Sequence, residues 1–456
     1  MKLKMAAVLL FSPWLVAQAT VTTVHEQTFG NGLKVLVKED HRSPVVVSQI
    51  WYKVGSSYEP SGITGISHML EHMMFKGTKL YPAGEFSRII AENGGQENAF
   101  TGDDYTAYFQ TMEKSRLEIS FKLEADRMRN LDLKADELAK ELQVVTEERR
   151  MRTDDQPHAK TLEQFNAVAF ANSPYKNPVI GWPSDIANYQ VEDLQAWYQQ
   201  WYAPNNATLV VVGDVTAKEV FKLAEQYFGG LQPSVIKPLK PQTEIAQQGI
   251  KKLTVKVPAK LPGVFLGYKV PTLKTAEIEQ DAYALEVLTG ILDGGNSARL
   301  PARLVRGQES AVSVGAGYDF ASRLSTILML EATPAEGHNV YEMENALKEQ
   351  VALLQSELIS DEELQRIKAQ VLAKDVYQKD SNFYQAMELG LLETVGLGWR
   401  KADEYVDRIH HVTAEQVQEV ARKYLRDDNL TVAYLDPLPL TDAPKPAKFT
   451  GGHHAF

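Results

Sequence analysis

His68, Glu71 and His72 stand together in the run His68-Met69-Leu70-Glu71-His72, an H-x-x-E-H pattern. On a helix, residues four apart project from one face a turn apart, so both imidazoles can reach a single metal ion. Zn²⁺ accepts such nitrogen donors in a tetrahedral shell and, in catalytic sites, keeps one position for water. Glu71 comes from the same side and is placed to take a proton from that water, as carboxylates do in metal-dependent peptide hydrolysis. The plain alternative is a surface helix whose histidines are satisfied by solvent. A third ligand from elsewhere in the chain decides between the two.

The elements that must position these residues are legible around them. Thr64 or Ser61 can cap the start of the motif helix and Gly77 can end it. Ile66, Met69, Leu70, Met73 and Met74 give it an apolar surface to bury. Upstream, residues 33–37 and 45–52, with the turn-like Gly30-Asn31-Gly32, read as two antiparallel strands. Downstream, 83–93 reads as a helix and 96–111 as strands around a turn at Gly102-Asp103-Asp104. That hairpin is either an edge to which an extended peptide can add or an ordinary part of the core sheet; pattern alone leaves both open.

Two amphipathic helices follow, at 114–129 and 135–151. In the second, Glu141 and Glu148 are seven residues apart, two turns along one face. One carboxylate can bind the metal while the other holds a ligand imidazole. Without a metal, such a Glu-rich helix is simply a solvated face.

At 456 residues the chain exceeds a single core, so two or more domains are expected. A net charge of -11 argues against a nucleic-acid partner. Lys2 and Lys4, an apolar run over 5–16 and Ala17-Gln18-Ala19 read as a signal peptide, 1–19, with Thr20 as the mature start. The run is too short for a mature membrane helix and none later is longer, so no stable span is expected after cleavage. With no cysteine, an exported chain must be held by its core and metal rather than disulfides. The address is periplasmic; an uncleaved anchor is the other reading.

The chain also carries a weak internal repeat. Glu192 and Asn206 have the same separation, fourteen, as Glu415 and Asn429, and each stretch runs from a helix into an apolar strand. Between the halves, 232–250 is proline-bearing and structure-poor, as a semi-rigid linker would be.

Taken in order, these stretches resemble the pitrilysin/insulinase family of zinc metallopeptidases, the inverzincins. The similarity rests on 68–78, on Gly94-Gly95 with Asn98, Ala99 and Thr101, on 124–128, on 141–152, and on Pro174-Tyr175 with 178–182. It implies an α+β fold of two homologous α/β-sandwich halves, each an antiparallel-rich sheet with helices packed on it, closed like a clamshell around the metal. The division expected is 20–231 for the peptidase half, 251–437 for the second half and 438–456 for a disordered tail.

The family's V-V/I-x-x-E segment falls on Val144 to Glu148, which selects Glu148 rather than Glu147 as third ligand of one Zn²⁺ per chain. Glu141 matches the outer carboxylate, and Asn98, Ala99 and Thr101 match the strand that holds substrate. One departure stands out. Many members carry an Arg and, seven residues later, a Tyr in the second half, and alignment on Ser297-Ala298-Arg299-Leu300 puts Val305 and Val312 there. Arg306 and Tyr318 are close by but out of register. The resemblance therefore implies an exported zinc endopeptidase acting on peptides or unfolded segments, in a homo- or heterodimer whose homologous subunit supplies Arg and Tyr. The reading from another class is a non-catalytic assembly or binding subunit, although such subunits usually lose the ligands this chain keeps.

Overall fold

The computed structural model describes residues 23–440. The expected signal peptide and the tail beyond Leu440 lie outside the described residues. The first half contains β1 (Val24–Thr28), β2 (Lys34–Glu39), β3 (Val45–Tyr52), β4 (Gln96–Thr101), β5 (Thr106–Glu113) and β6 (Ala207–Gly213). They form one sheet in the order β1-β2-β6-β3-β5-β4. The second half contains β7 (Lys251–Pro258), β8 (Gly263–Val270), β9 (Ala311–Tyr318), β10 (Thr326–Pro334) and β11 (Leu430–Leu438), ordered β7-β11-β8-β10-β9.

The two orders are one topology used twice. In each half the last strand enters the middle of the sheet, parallel to the first main strand and antiparallel to the second: β6 between β2 and β3, β11 between β7 and β8. The two repeated stretches each form a helix and a short 3-10 turn, entering β6 and β11. One expectation is corrected. Gly30-Asn31-Gly32 turns β1 into β2, whereas residues 45–52 do not pair with β2, because β6 is inserted between them.

The first half's helices are α1 (Ile66–Met73), α2 (Glu85–Glu92), α3 (Leu117–Asn130), α4 (Ala135–Arg149), α5 (Pro157–Ala169), α6 (Pro183–Ile186), α7 (Val191–Trp201) and α8 (Ala217–Phe228). The second half's are α9 (Glu279–Asp293), α10 (Val340–Ser356), α11 (Asp361–Lys379), α12 (Asn382–Thr394), α13 (Lys401–His410) and α14 (Ala414–Tyr424).

Central strands are apolar without alternation because both faces are buried. Val35, Val37, Val46, Ile50, Leu209 and Val211 point into the first half's own helical layer. Their neighbours Leu36, Val47, Trp51, Val210 and Val212 point the other way, against Ala386 and Leu389 of α12. The second half mirrors this. Val264, Leu266 and Val432 face its own helices, while Phe265, Ala433 and Leu435 meet Phe165 and Ala169 of α5. Each half thus lends one helix to cover the other's sheet. Space for the exchange is made by glycine: a Cβ on Gly390 would sit 2.2 Å from the Trp51 ring, and one on Gly267 would sit 2.3 Å from Phe165.

Between α8 and β7 the chain runs without helix or strand, and Glu244 fixes it in place. Its carboxylate accepts from the backbone of Ala171, Asn172 and Ser173 and from Lys269 Nζ at 2.7 Å, so one side chain ties the segment to both halves.

Candidate metal centre

All eight residues of α1 are buried, which removes the reading of solvated surface histidines. The helix begins at Gly65, whose φ of 86° suits glycine. No side chain caps it in the expected way. Glu59 does so from a distance, accepting from the backbone of Gly65 at 2.5 Å and of Ser67 at 2.8 Å. Thr64 is engaged elsewhere, donating to Asp185 at the start of α6. The helix tightens into a 3-10 turn over Met74–Lys76 and stops at Gly77, as expected. The stretch 178–182 crosses directly over its start: Trp182 N donates to Thr64 Oγ1, and Arg149 Nη1 donates to Gly181 O. This packing is the structural reason for the family-like turn there.

Helix α4 lies against α1 and delivers both of its predicted carboxylates, while Glu147 stays on the exposed face with Arg150. Glu148 Oε2 is 3.2 Å from His72 Nε2 and 3.7 Å from His68 Nε2. Ligand atoms about 2.1 Å from a tetrahedral metal stand about 3.4 Å apart, so these separations fit one ion. Among the described residues, His68, His72 and Glu148 are the one group of such donors that converges, within 4.8 Å. Glu141 Oε1 accepts from His72 Nδ1 at 2.9 Å, which turns Nε2 toward Glu148.

The electrostatics favour positive charge at this point. Burial works against a protonated His72, but Glu141 and Glu148 outweigh it and hold its pKa at about 9. Burial likewise opposes ionised Glu148, yet His72, His68 and Arg152 hold it at about 2. Glu71 is different. Burial pushes it up to about 7, against a hydrogen bond donated by the Thr101 hydroxyl and the nearby His72.

His68, Glu71 and Glu148 line a cavity of about 480 Å³ whose other walls include Ala99, Thr101, Arg152, Leu162 and Ile180. Ala99 and Thr101 come from β4, which among the described residues is an edge strand paired only with β5. Asn98 is not in that wall; its side chain accepts from the backbone of Ala99. A larger cavity of about 550 Å³ lies in the second half between α9, β9, α11 and α12, the elements corresponding to α1, β4, α4 and α5. Among the described residues its lining has no histidine.

Neither out-of-register residue of the second half reaches this centre. Arg306 donates to the backbone oxygen of Asn296, and the Tyr318 hydroxyl donates to Pro271 O at 2.7 Å. Val312 is exposed on β9 and Val305 is packed against the second core. Two cations escaped the reading of the sequence: Lys76 Nζ lies 2.5 Å from Glu141 Oε2, and Arg152 Nη1 lies 2.9 Å from Glu148 Oε1. Their spacing from the motifs, four residues after His72 and four after Glu148, was the available clue.

Comparison with known proteins agrees with this geometry. Residues 34–182 match the family described as Insulinase (Peptidase family M16), and residues 188–371 match the Peptidase M16 inactive domain. The chain is 32% identical to the zinc protease PqqE of Helicobacter pylori over 431 residues, 92% of this chain and 94% of that protein. The chain belongs to peptidase family M16. Its M16 fold superimposes on the crystal structure of a protease from Helicobacter pylori with a TM-score of 0.87 at 31% identity, covering 91% of this chain and all of that one. It also superimposes on the first half of the periplasmic protease PqqL of Escherichia coli, with a TM-score of 0.75 at 19% identity over 90% of this chain and 91% of that one. The M16 assignment places the H-x-x-E-H helix in the peptidase-matching half and the second cavity in the half matching the inactive domain.

Proposed function

We propose that the protein is an exported zinc-dependent endopeptidase. The observation that carries this is the convergence of His68, His72 and Glu148 at one buried point, with Glu71 in the wall of the same cavity. His68, His72 and Glu148 would hold the ion. Zinc bound there supplies a Lewis acid for the scissile carbonyl and lowers the pKa of the attacking water. Glu71 would act as the base, accepting a proton at its carboxylate and passing it to the leaving amine, with the Thr101 hydroxyl fixing that carboxylate. Glu141 keeps His72 in the tautomer and orientation that present Nε2. The unpaired side of β4 receives the substrate as an added strand through backbone hydrogen bonds at Asn98, Ala99 and Thr101.

The address is the periplasm, supported by the signal-like segment 1–19 and by the likeness to a periplasmic protease. The chain works with a same-fold partner that supplies the Arg and Tyr missing in register. Supporting this, Arg306 and Tyr318 are both held away from the metal centre. Loss of one oxyanion donor costs about 10²–10³ in rate, so the isolated chain cleaves weakly. The test is peptide cleavage by the chain alone, by an exported homologue lacking H-x-x-E-H, and by the mixture. Cleavage restored only in the mixture is the expected result. Full activity from the purified monomer, reduced in Arg306→Ala or Tyr318→Phe, would remove the partner from the account.

A further inference from the structure

The two glutamates of α4 are built into the site in the same way. Each gives one carboxylate oxygen to a histidine and the other to a cation. Glu141 meets His72 Nδ1 through Oε1 and Lys76 through Oε2. Glu148 faces both imidazoles through Oε2 and Arg152 through Oε1. Arg152 stands four residues after Glu148, in the π-helical segment Arg150–Asp154 that continues α4, and its side chain lines the cavity.

A lone ion pair of this spacing on a helix surface would be worth little. This one differs in what it restrains. The Glu148 side chain is only 10% exposed, and its inner oxygen is the third donor of the candidate metal group. A carboxylate can bind a metal through one oxygen or through both. Binding through both fills the coordination position that a hydrolytic site keeps for water. The ion pair on the outer oxygen, with Arg152 Nη1 at 2.9 Å, opposes the rotation that would bring it inward.

We propose that Arg152 is a positioning residue for the metal centre, holding Oε1 of Glu148 so that Oε2 alone is presented between His68 and His72. The inference rests on the reading that these three residues bind zinc. Lys76 does the matching job at Glu141, where the carboxylate serves an imidazole instead of the ion.

The test uses Co²⁺ in place of zinc in the full mature chain and reads the visible spectrum, which reports coordination number. The wild-type chain should show the intense bands of a four-coordinate site. Arg152→Gln should show weaker bands of higher coordination, and Arg152→Lys, which restores one charged donor, should move back toward wild type. In the cleaving preparation, Arg152→Gln should lose about 10–100-fold in kcat with KM unchanged, as other groups that orient ligands do. A wild-type spectrum in Arg152→Gln overturns the inference, whatever its activity or stability. A wild-type chain that takes up no cobalt or zinc overturns the zinc reading itself, a separate failure.

Discussion

Asp104, in the turn between β4 and β5, accepts a hydrogen bond from the backbone of Arg323 at 2.9 Å and another from its Nε at 3.0 Å. Ser57 and Tyr175 donate to the same carboxylate, and the guanidinium lies over the Tyr58 ring at 4.4 Å. Arg323 and the carboxylate it binds therefore tie together three segments of the first half: the loop before α1, the turn after β4, and the turn at 174–176. Among the described residues the second half contributes none to the lining of the metal cavity, but here it fixes the position of the walls.

Arg323→Ala would leave the buried Asp104 carboxylate without its cationic partner. Removing one partner of such a pair costs about 3 kcal/mol or more. The expected outcome is a clearly lower thermal midpoint, with zinc still bound in the folded protein. An unchanged midpoint would show that the halves do not depend on this contact.

Gly390→Ala tests the exchanged helices. Alanine favours a helix over glycine by about 1 kcal/mol, but here its Cβ would enter the Trp51 ring. Overpacking costs about 1–3 kcal/mol, and Trp51 is completely buried, so the clash should win. Denaturant unfolding should shift to lower concentration; a stabilised variant would mean that α12 does not dock as described.

Much of this was legible in the sequence, and what was not has a common cause. Spacing on one helix exposed His68, Glu71 and His72, and the same argument put Glu141 and Glu148 on one face of α4. The shared run into β6 and β11 exposed the duplication. Glu59 as the cap of α1, β6 between β2 and β3, and α5 and α12 lent across the halves were not legible. Each is a contact between distant parts of the chain, and amphipathic periodicity says that a helix has an apolar face without saying which sheet receives it. Choosing Glu148 over Glu147 as the ligand rested on the family resemblance, because two adjacent glutamates offer the metal the same donor and the seven-residue spacing from Glu141 assigns a face without assigning a ligand.

Glu244 predicts a pH effect. Burial acts to raise its pKa, but Lys269 and the three backbone N–H groups overcome this and hold it at about 2, below the ordinary 4.5. Its folded pKa is depressed, so its contribution to stability is complete above pH 4.5 and is lost as the pH falls toward 2. Acid proteolysis should therefore cut the 232–250 segment first, and increasingly below pH 4.5. Glu244→Gln should be cut at neutral pH as well; equal resistance of variant and wild type at every pH would contradict this.

Glu141→Gln and Lys76→Ala should weaken zinc binding without abolishing it. Groups that orient a ligand histidine contribute about 10–100-fold in metal affinity. Competition with a chelator at fixed pH measures this, with Glu141→Gln the larger effect because it contacts His72 directly. Wild-type affinity in both variants would mean that His72 needs no orienting partner.

The central claim is that one point in the first half binds zinc through His68, His72 and Glu148 and uses Glu71 as the base. Zinc content and peptide cleavage, measured together on wild type, Glu71→Gln and Glu148→Gln with any required partner present, test it most directly. The account predicts zinc near one per chain in wild type and in Glu71→Gln. It predicts cleavage down at least about 10²-fold in Glu71→Gln, and loss of both zinc and cleavage in Glu148→Gln. Wild-type cleavage by Glu71→Gln, or full zinc in Glu148→Gln, would contradict it.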